Sequence, residues 1–135
     1  MPVTFQRDLK DVDWDAMKEI LGQDSFDNGR SPAQLQASFQ NSFGACIAYD
    51  GAKIVGTARV LSDGVCNAYI VDVWTLSSYR WRGIARRMME LILQELRGQH
   101  VYLFTDDAVD FYRKLGFTER QVGMEKVVGT WLDNK

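Results

Sequence analysis

The sequence predicts an α/β (α+β) fold, with a mixed, mostly antiparallel sheet of about six to seven strands flanked by about four helices. Three observations carry this. Up to about residue 40 the apolar residues recur at helical spacing; from Phe43 they alternate with a period of two, and Asp50-Gly51 separates two such runs. From Val65 an apolar strand, an amphipathic helix and a further strand succeed one another, the order of a crossover within a mixed sheet. With 135 residues, 46% hydrophobic and 12% aromatic, the chain has material for one core, and a single domain over 1–135 is expected.

Taken in order, Val3 to Arg7 reads as a short strand. Asp11 or Asp13 offers an N-cap to a helix whose apolar face is Trp14, Met17, Ile20 and Leu21, with Gly22 ending it. The polar run Gln23 to Arg30 is a loop. Ser31-Pro32-Ala33-Gln34 combines a capping serine, a proline at the first helical position and a capping-box glutamine, so a second helix starts here with Leu35 and Phe39 on one side. Phe43 to Tyr49 and Lys53 to Leu61 are strands joined by a tight turn at Asp50-Gly51. Ser62-Asp63-Gly64 turns the chain into a third strand, Val65 to Leu76. A long helix presents Ile84, Met88, Leu91, Ile92 and Leu96 on one face and meets Gly98 just past its end. His100 to Phe104 is a strand, Asp107 to Leu115 a short helix, and Phe117 to Val128 one or two closing strands broken near Gly123.

Sixteen basic against 18 acidic residues leave a formal charge of −2, without the basic excess of a nucleic-acid binder. No apolar run nears the roughly 18 residues of a membrane span. MPVTFQRDLK lacks the apolar stretch of a secretory signal, so no nucleic-acid or membrane partner is expected and a cytoplasmic location is. Cys46 and Cys66 lie in apolar stretches; they form either a bridge or, in a reducing compartment, two buried thiols. One histidine and no CxxC or HExxH spacing leave no metal site expected. The charge is uneven: five arginines and two glutamates fall between Arg80 and His100, which suits a small anionic ligand.

The stretch Val73-Trp74-Thr75-Leu76-Ser77-Ser78-Tyr79-Arg80-Trp81-Arg82-Gly83-Ile84-Ala85 takes a buried strand through a polar turn into a helix. A helix start leaves four amides without partners and carries a partial positive charge, so it favours an anion. Gly83 permits close approach of the backbone, Ala85 keeps the same face small, and Arg80 and Arg82 add attraction. Neither GxxxxGK[ST] nor GxGxxG is present; the pattern is R-x-x-G-x-A, which alone also describes an ordinary charged helix start.

Further on, Asp110-Phe111-Tyr112-Arg113-Lys114-Leu115-Gly116-Phe117 is similar to the FYxKLGF signature of the GNAT superfamily of CoA-dependent N-acyltransferases. Strand, R-x-x-G-x-A turn, amphipathic helix, strand and FYRKLGF occur in that superfamily's order, and the resemblance covers Lys53 to Phe117. Within it, Gly56 to Gly64, Asp72-Val73-Trp74 and Thr105 to Tyr112 resemble a small-amine branch that includes plant and cyanobacterial serotonin N-acetyltransferases.

The resemblance implies acetyl-CoA as co-substrate, no metal, a small-molecule primary amine as acceptor, and direct acetyl transfer; it leaves a homodimer open. It also implies site residues. The backbone of Val73, Trp74 and Thr75 would pair with the pantetheine arm as a missing strand does. The Val73 or Trp74 amide would face the thioester carbonyl and stabilise its oxyanion. The amides of Arg82, Gly83, Ile84 and Ala85 would hold the pyrophosphate. Thr105 stands where many members carry a cofactor-contacting asparagine, and Phe111, beside the family tyrosine, would be a further cofactor-binding residue. Tyr112 aligns with that tyrosine, which would protonate or hydrogen-bond the departing thiolate; the alternative is a core aromatic beside Phe111 and Phe117.

Asp72 is the only charge between Asp63 and Arg80, in the middle of an apolar strand. Burial there requires either a functional base for the attacking ammonium or half of an ion pair, with Arg59 the evident partner. Many members place a glutamate one position earlier, where this chain has Val71. Trp74 is either an aromatic wall for an apolar amine or core. Asp24, Phe26 and Asp27 lie in an inter-helix loop that in this superfamily often lines the acceptor pocket. Two readings compete with the small-amine enzyme: a protein or peptide acetyltransferase, with an open groove, and a non-catalytic acyl-CoA-binding module, with no use for Tyr112.

Overall fold

The computed structural model describes residues 2–134. Strand β1 (Thr4–Gln6) leads into α1 (Trp14–Gln23), where Asp13, not Asp11, is the N-cap and accepts from the Ala16 amide at 3.0 Å. Gly22 does not end this helix; it runs one residue further and Asp24 is its C-cap. Helix α2 (Pro32–Gln40) has the expected capping box, the Gln34 amide donating to Ser31 Oγ at 3.1 Å and the Ser31 amide to Gln34 Oε1 at 3.0 Å.

Strands β2 (Gly44–Asp50), β3 (Lys53–Ser62) and β4 (Asn67–Thr75) form an antiparallel meander, with β1 beside β2. Asp50 opposes Lys53, so Gly51 and Ala52 are the whole hairpin loop. β4 starts two residues later than expected. The Asp63 carboxylate accepts the amides of Val65, Cys66 and Asn67 at 2.8, 2.7 and 3.2 Å, which holds that stretch as a turn and keeps the carboxyl below its ordinary pKa. Helix α3 (Ile84–Leu93) then crosses to β5 (His100–Tyr102), which runs parallel to β4. α3 is shorter than its apolar pattern suggests: Glu95 and Leu96 donate to Ile92 and Leu93, tightening the chain into three-residue turns. Met89 is buried with Ile84, Met88 and Ile92, whereas Leu91 is half-buried.

Two layers of helix enclose the sheet. Met17 and Leu21 of α1, Leu35 and Phe39 of α2, and Ala45, Ile47, Ile54 and Trp74 of the strands make one cluster. The alternation of β2 sends Ala48 to the opposite face, under α3. There Gly56 has no room for a side chain, since a Cβ would lie 3.0 Å from Met88 Cε and 3.2 Å from both Ala48 Cβ and the Trp74 carbonyl oxygen. The sheet is mixed, as expected, but has five strands in the order β1-β2-β3-β4-β5 rather than six to seven.

Residues up to Leu103 form one compact unit and those from Phe104 a second. The second contains α4 (Val109–Lys114), the fourth α-helix. It starts at Val109 rather than Asp107, because Thr105 Oγ1 accepts the Ala108 amide at 3.0 Å and holds the chain in a turn. The closing strands expected over Phe117 to Val128 do not form. Residues 118–128 are all exposed, so they lack the half-buried face that stabilises a strand.

Candidate active site

The site begins with a bulge. Thr57 opposes Trp74 and Arg59 opposes Val71, so Asp72 and Val73 stand against Ala58 alone. Asp72 adopts a positive φ of 57°, and its carbonyl accepts from Thr57 Oγ1 at 2.9 Å. Its carboxylate is clamped from two sides. Arg30 donates through Nη1 and Nη2 at 3.0 and 3.1 Å, and Arg59 through Nε at 2.5 Å. Arg30 is buried and Asp72 and Arg59 are largely enclosed, their side chains 8, 11 and 12% exposed in that order. Arg59 is the partner expected from the sequence. Arg30, 42 residues before Asp72, was not foreseeable from spacing.

Beyond the bulge one edge of β4 is open. β4 pairs with β3 along Ala68 to Thr75 but with β5 only over Asn67–Tyr69, so among the described residues no strand covers that edge from Ile70 onward. Val73 is half-buried on this segment, and Thr75 Oγ1 is buried with no hydrogen-bond partner among the described residues. The Trp74 side chain is core rather than a pocket wall. It is 2% exposed, and its indole N–H, which needs an acceptor when buried, donates to Asp24 Oδ2 at 2.8 Å.

A 3₁₀ turn, Ser77–Tyr79, connects β4 to α3. Arg80 Nε donates to the Thr75 carbonyl at 3.2 Å and Arg82 Nη2 to the Ser78 carbonyl at 3.2 Å. The Arg82 guanidinium also lies over the Tyr79 ring at 4.7 Å, and Lys53 Nζ lies 5.5 Å from the same ring. The Tyr79 hydroxyl donates to Asp50, the largest of the influences that raise its pKa. Trp81 is fully exposed.

Gly83 is the N-cap of α3 with φ +77°, a backbone that side chains disfavour, and a Cβ there would meet nothing within 4 Å. No side chain caps this helix. The Arg87 amide bonds the Gly83 carbonyl at 3.0 Å, so the amides of Ile84, Ala85 and Arg86 have no intrahelical acceptor. Ile84 is buried and Ala85 half-buried. An open strand edge thus runs into an uncapped helix start with a clear approach at Gly83. The first suits an extended amide-bearing chain and the second a diphosphate, so these residues fit the two halves of coenzyme A.

In the second unit, Tyr112 is buried, edge-on to Phe111 at 5.0 Å and to Phe117 at 5.8 Å. Its hydroxyl makes no hydrogen bond among the described residues. Burial first, then the charge of Asp107, raises its pKa, so the phenol holds its proton throughout the neutral range. Thr105 spends its hydroxyl on the Ala108 amide.

Cys46 is buried and its thiol is pushed up to about 11 by desolvation, while Cys66 is exposed rather than buried; both are free. His100 is exposed, its Nδ1 sharing a hydrogen bond with the Tyr102 hydroxyl at 2.9 Å. The described residues hold no group of three or more His, Cys, Asp or Glu arranged for a metal.

Asp24, read from the sequence as an inter-helix loop residue of the kind that often lines the acceptor pocket, has partners that the sequence did not indicate. The Asp24 carboxylate accepts not only the Trp74 indole but also the Ser77 amide at 3.2 Å and the Ser77 hydroxyl, and faces Arg80 Nη2 at 3.6 Å. Burial pushes its pKa up, but these donors outweigh it and hold the carboxyl below its ordinary value.

The same architecture recurs in known proteins. An uncharacterized N-acetyltransferase, ycf52, of Pyropia yezoensis is 33% identical over 78 residues, covering 55% of this chain and 45% of its own. Serotonin N-acetyltransferase 2, chloroplastic, of Oryza sativa subsp. japonica is 28% identical over 120 residues, covering 83% and 60%. The chain therefore spans less than two thirds of the length of either relative. Among solved structures, the GNAT-family acetyltransferase SP0256 of Streptococcus pneumoniae TIGR4 superposes with a TM-score of 0.79 at 24% identity, covering 94% of this chain and 98% of its own. Residues 8–117 match the model described as the acetyltransferase (GNAT) family, and the chain belongs to that family.

Proposed function

We propose that this protein transfers acetyl from acetyl-CoA directly to the primary amine of a small molecule. The observation that carries the reading is the run from the open edge of β4 to the uncapped start of α3, with Gly83 at positive φ and clear space before it. Val73, Trp74 and Thr75 would hold the pantetheine amides through their backbone. The amides of Arg82 to Ala85 would hold the diphosphate, with Arg80 and Arg82 adding charge. A β4 amide at the bulge, of Val73 or Trp74, would stabilise the oxyanion.

In the transfer the amine nitrogen bonds the thioester carbon, the C–S bond breaks, and the thiolate takes a proton. We assign that proton to Tyr112, which lies in the FYRKLGF stretch, keeps its hydroxyl free of internal partners and stays protonated. Asp72 is assigned as a positioning residue and not as the base. Three guanidinium N–H donors already occupy its oxygens, which hold it as the counter-charge of Arg30 and Arg59. The amine attacks as the free base, its ammonium proton having gone to water, and the N–H proton released as the amide forms returns through water to the Tyr112 phenolate. An aromatic amine heads the acceptor panel because the rice relative bears serotonin in its name.

The test follows CoA thiol release with acetyl-CoA and a panel of aromatic amines, polyamines, amino sugars and a lysine peptide. Release driven by a small amine supports the proposal. Release with the peptide alone makes this a protein acetyltransferase, and CoA binding without release for any acceptor makes it a binding module.

A further inference from the structure

The Asp24 side chain links two elements far apart in sequence. Its backbone is fixed to α1, the amide bonding the Ile20 carbonyl at 3.1 Å, and α1 is anchored by buried Met17 and Leu21. Its carboxylate reaches across to the connection that follows β4. Oδ2 takes the Trp74 indole N–H at 2.8 Å and the Ser77 amide at 3.2 Å, and Oδ1 takes the Ser77 hydroxyl. Arg80, 3.6 Å away, closes the far end of the same connection by donating to the Thr75 carbonyl. One carboxylate thus ties down Trp74, Ser77 and Arg80, the span that leads from the strand edge to the helix start. With it removed, a buried indole N–H and a loop amide lose their acceptor and nothing else in the described structure replaces it. Loops held in shape before a ligand arrives bind it without the entropic cost of ordering them.

From this geometry we infer that Asp24 is a positioning residue for coenzyme binding, holding residues 74–80 in the conformation that presents the strand edge and the helix start together. The inference rests on the reading of residues 73–85 as the acetyl-CoA site. Asparagine preserves most of the device, since its oxygen accepts from Trp74 and Ser77 and its amide reverses the bond to the Ser77 hydroxyl; only the charge toward Arg80 is lost.

Calorimetric titration of CoA into the full chain tests it, together with KM and kcat for acetyl-CoA. Asp24→Ala should weaken CoA binding by about tenfold to hundredfold, the loss expected for one or two hydrogen bonds to a charged group. KM should rise in step, kcat should fall less, and the number of sites per folded chain should stay unchanged. Asp24→Asn should stay within about threefold of wild type, and Glu19→Ala, exposed on the same helix, should match wild type. A purely structural role would lower the number of active sites and leave Kd and KM alone; that result, or wild-type Kd in folded Asp24→Ala, overturns the inference. If Asp24→Ala does not fold, Ser77→Ala carries the test: a rise of about threefold supports it and a wild-type Kd overturns it. Wild-type protein that fails to bind CoA overturns the coenzyme site itself, and the role of Asp24 with it.

Discussion

Replacing Gly83 by glutamate separates what the glycine does for the fold from what it does for a ligand. Its φ of +77° costs an L-residue about 1–2 kcal/mol. No further cost arises, since a Cβ would meet nothing within 4 Å. The expected stability loss is therefore small, lowering the melting temperature by about 3–8 °C for a chain of this size. Binding should respond far more. Taking a separation of about 4 Å between a carboxylate at the helix start and a bound diphosphate, the like-charge pair costs about 4 kcal/mol at an effective dielectric constant near 20. That corresponds to about a thousandfold in Kd, and the new carboxylate would also compete for the Ile84 to Arg86 amides. Gly83→Ala carries the same backbone strain without the charge and should lose about tenfold at most. Titration calorimetry with CoA, beside thermal unfolding followed by circular dichroism, measures both quantities. A folded Gly83→Glu protein with wild-type affinity would refute the reasoning.

Asp72→Asn should destabilise the fold by about 3–5 kcal/mol, because Arg30 and Arg59 lose a buried counter-charge; denaturant unfolding measures this, and lost activity at unchanged stability would restore Asp72 as a base. Tyr112→Phe should lower kcat by about a hundredfold or more while leaving the CoA Kd unchanged; equal kcat values would remove Tyr112 from the chemistry. Because the Tyr112 pKa is raised on folding, its contribution to stability should be complete below about pH 10 and decline only as pH rises further, toward the folded-state value; a stability loss from this group near pH 8 would contradict its assignment as a protonated donor. Iodoacetamide at pH 8 should label Cys66 alone in the native protein and both thiols after unfolding, since Cys46 is buried with its pKa near 11.

Much of this was legible because it is local. A serine cap, a following proline and a glutamine three residues on are one short-range device, and α2 begins where they stand. The Asp50-Gly51 turn and the alternation around it likewise marked β2 and β3. The Arg59–Asp72 pair could be read because adjoining strands of a meander bring such residues opposite one another. What stayed hidden depends on distant chain segments. Arg30 reaches Asp72 across 42 residues and Asp24 reaches Ser77 across 53, and no periodicity records either contact. The bulge at Asp72 is a register shift, fixed by how two strands settle together rather than by glycine or proline. Over 118–128 the apolar residues looked like strands, but all are exposed, so β-propensity alone did not make a strand.

Amide NMR of the uniformly ¹⁵N-labelled chain, titrated with CoA, tests the main-chain anion site most directly. The Gly83, Ile84, Ala85 and Arg86 amides should shift downfield on saturation and shift likewise with ADP, while pantetheine alone should move those of Val73 to Thr75 and leave the helix start unchanged. Saturable CoA binding that leaves residues 83–86 unmoved would contradict the account.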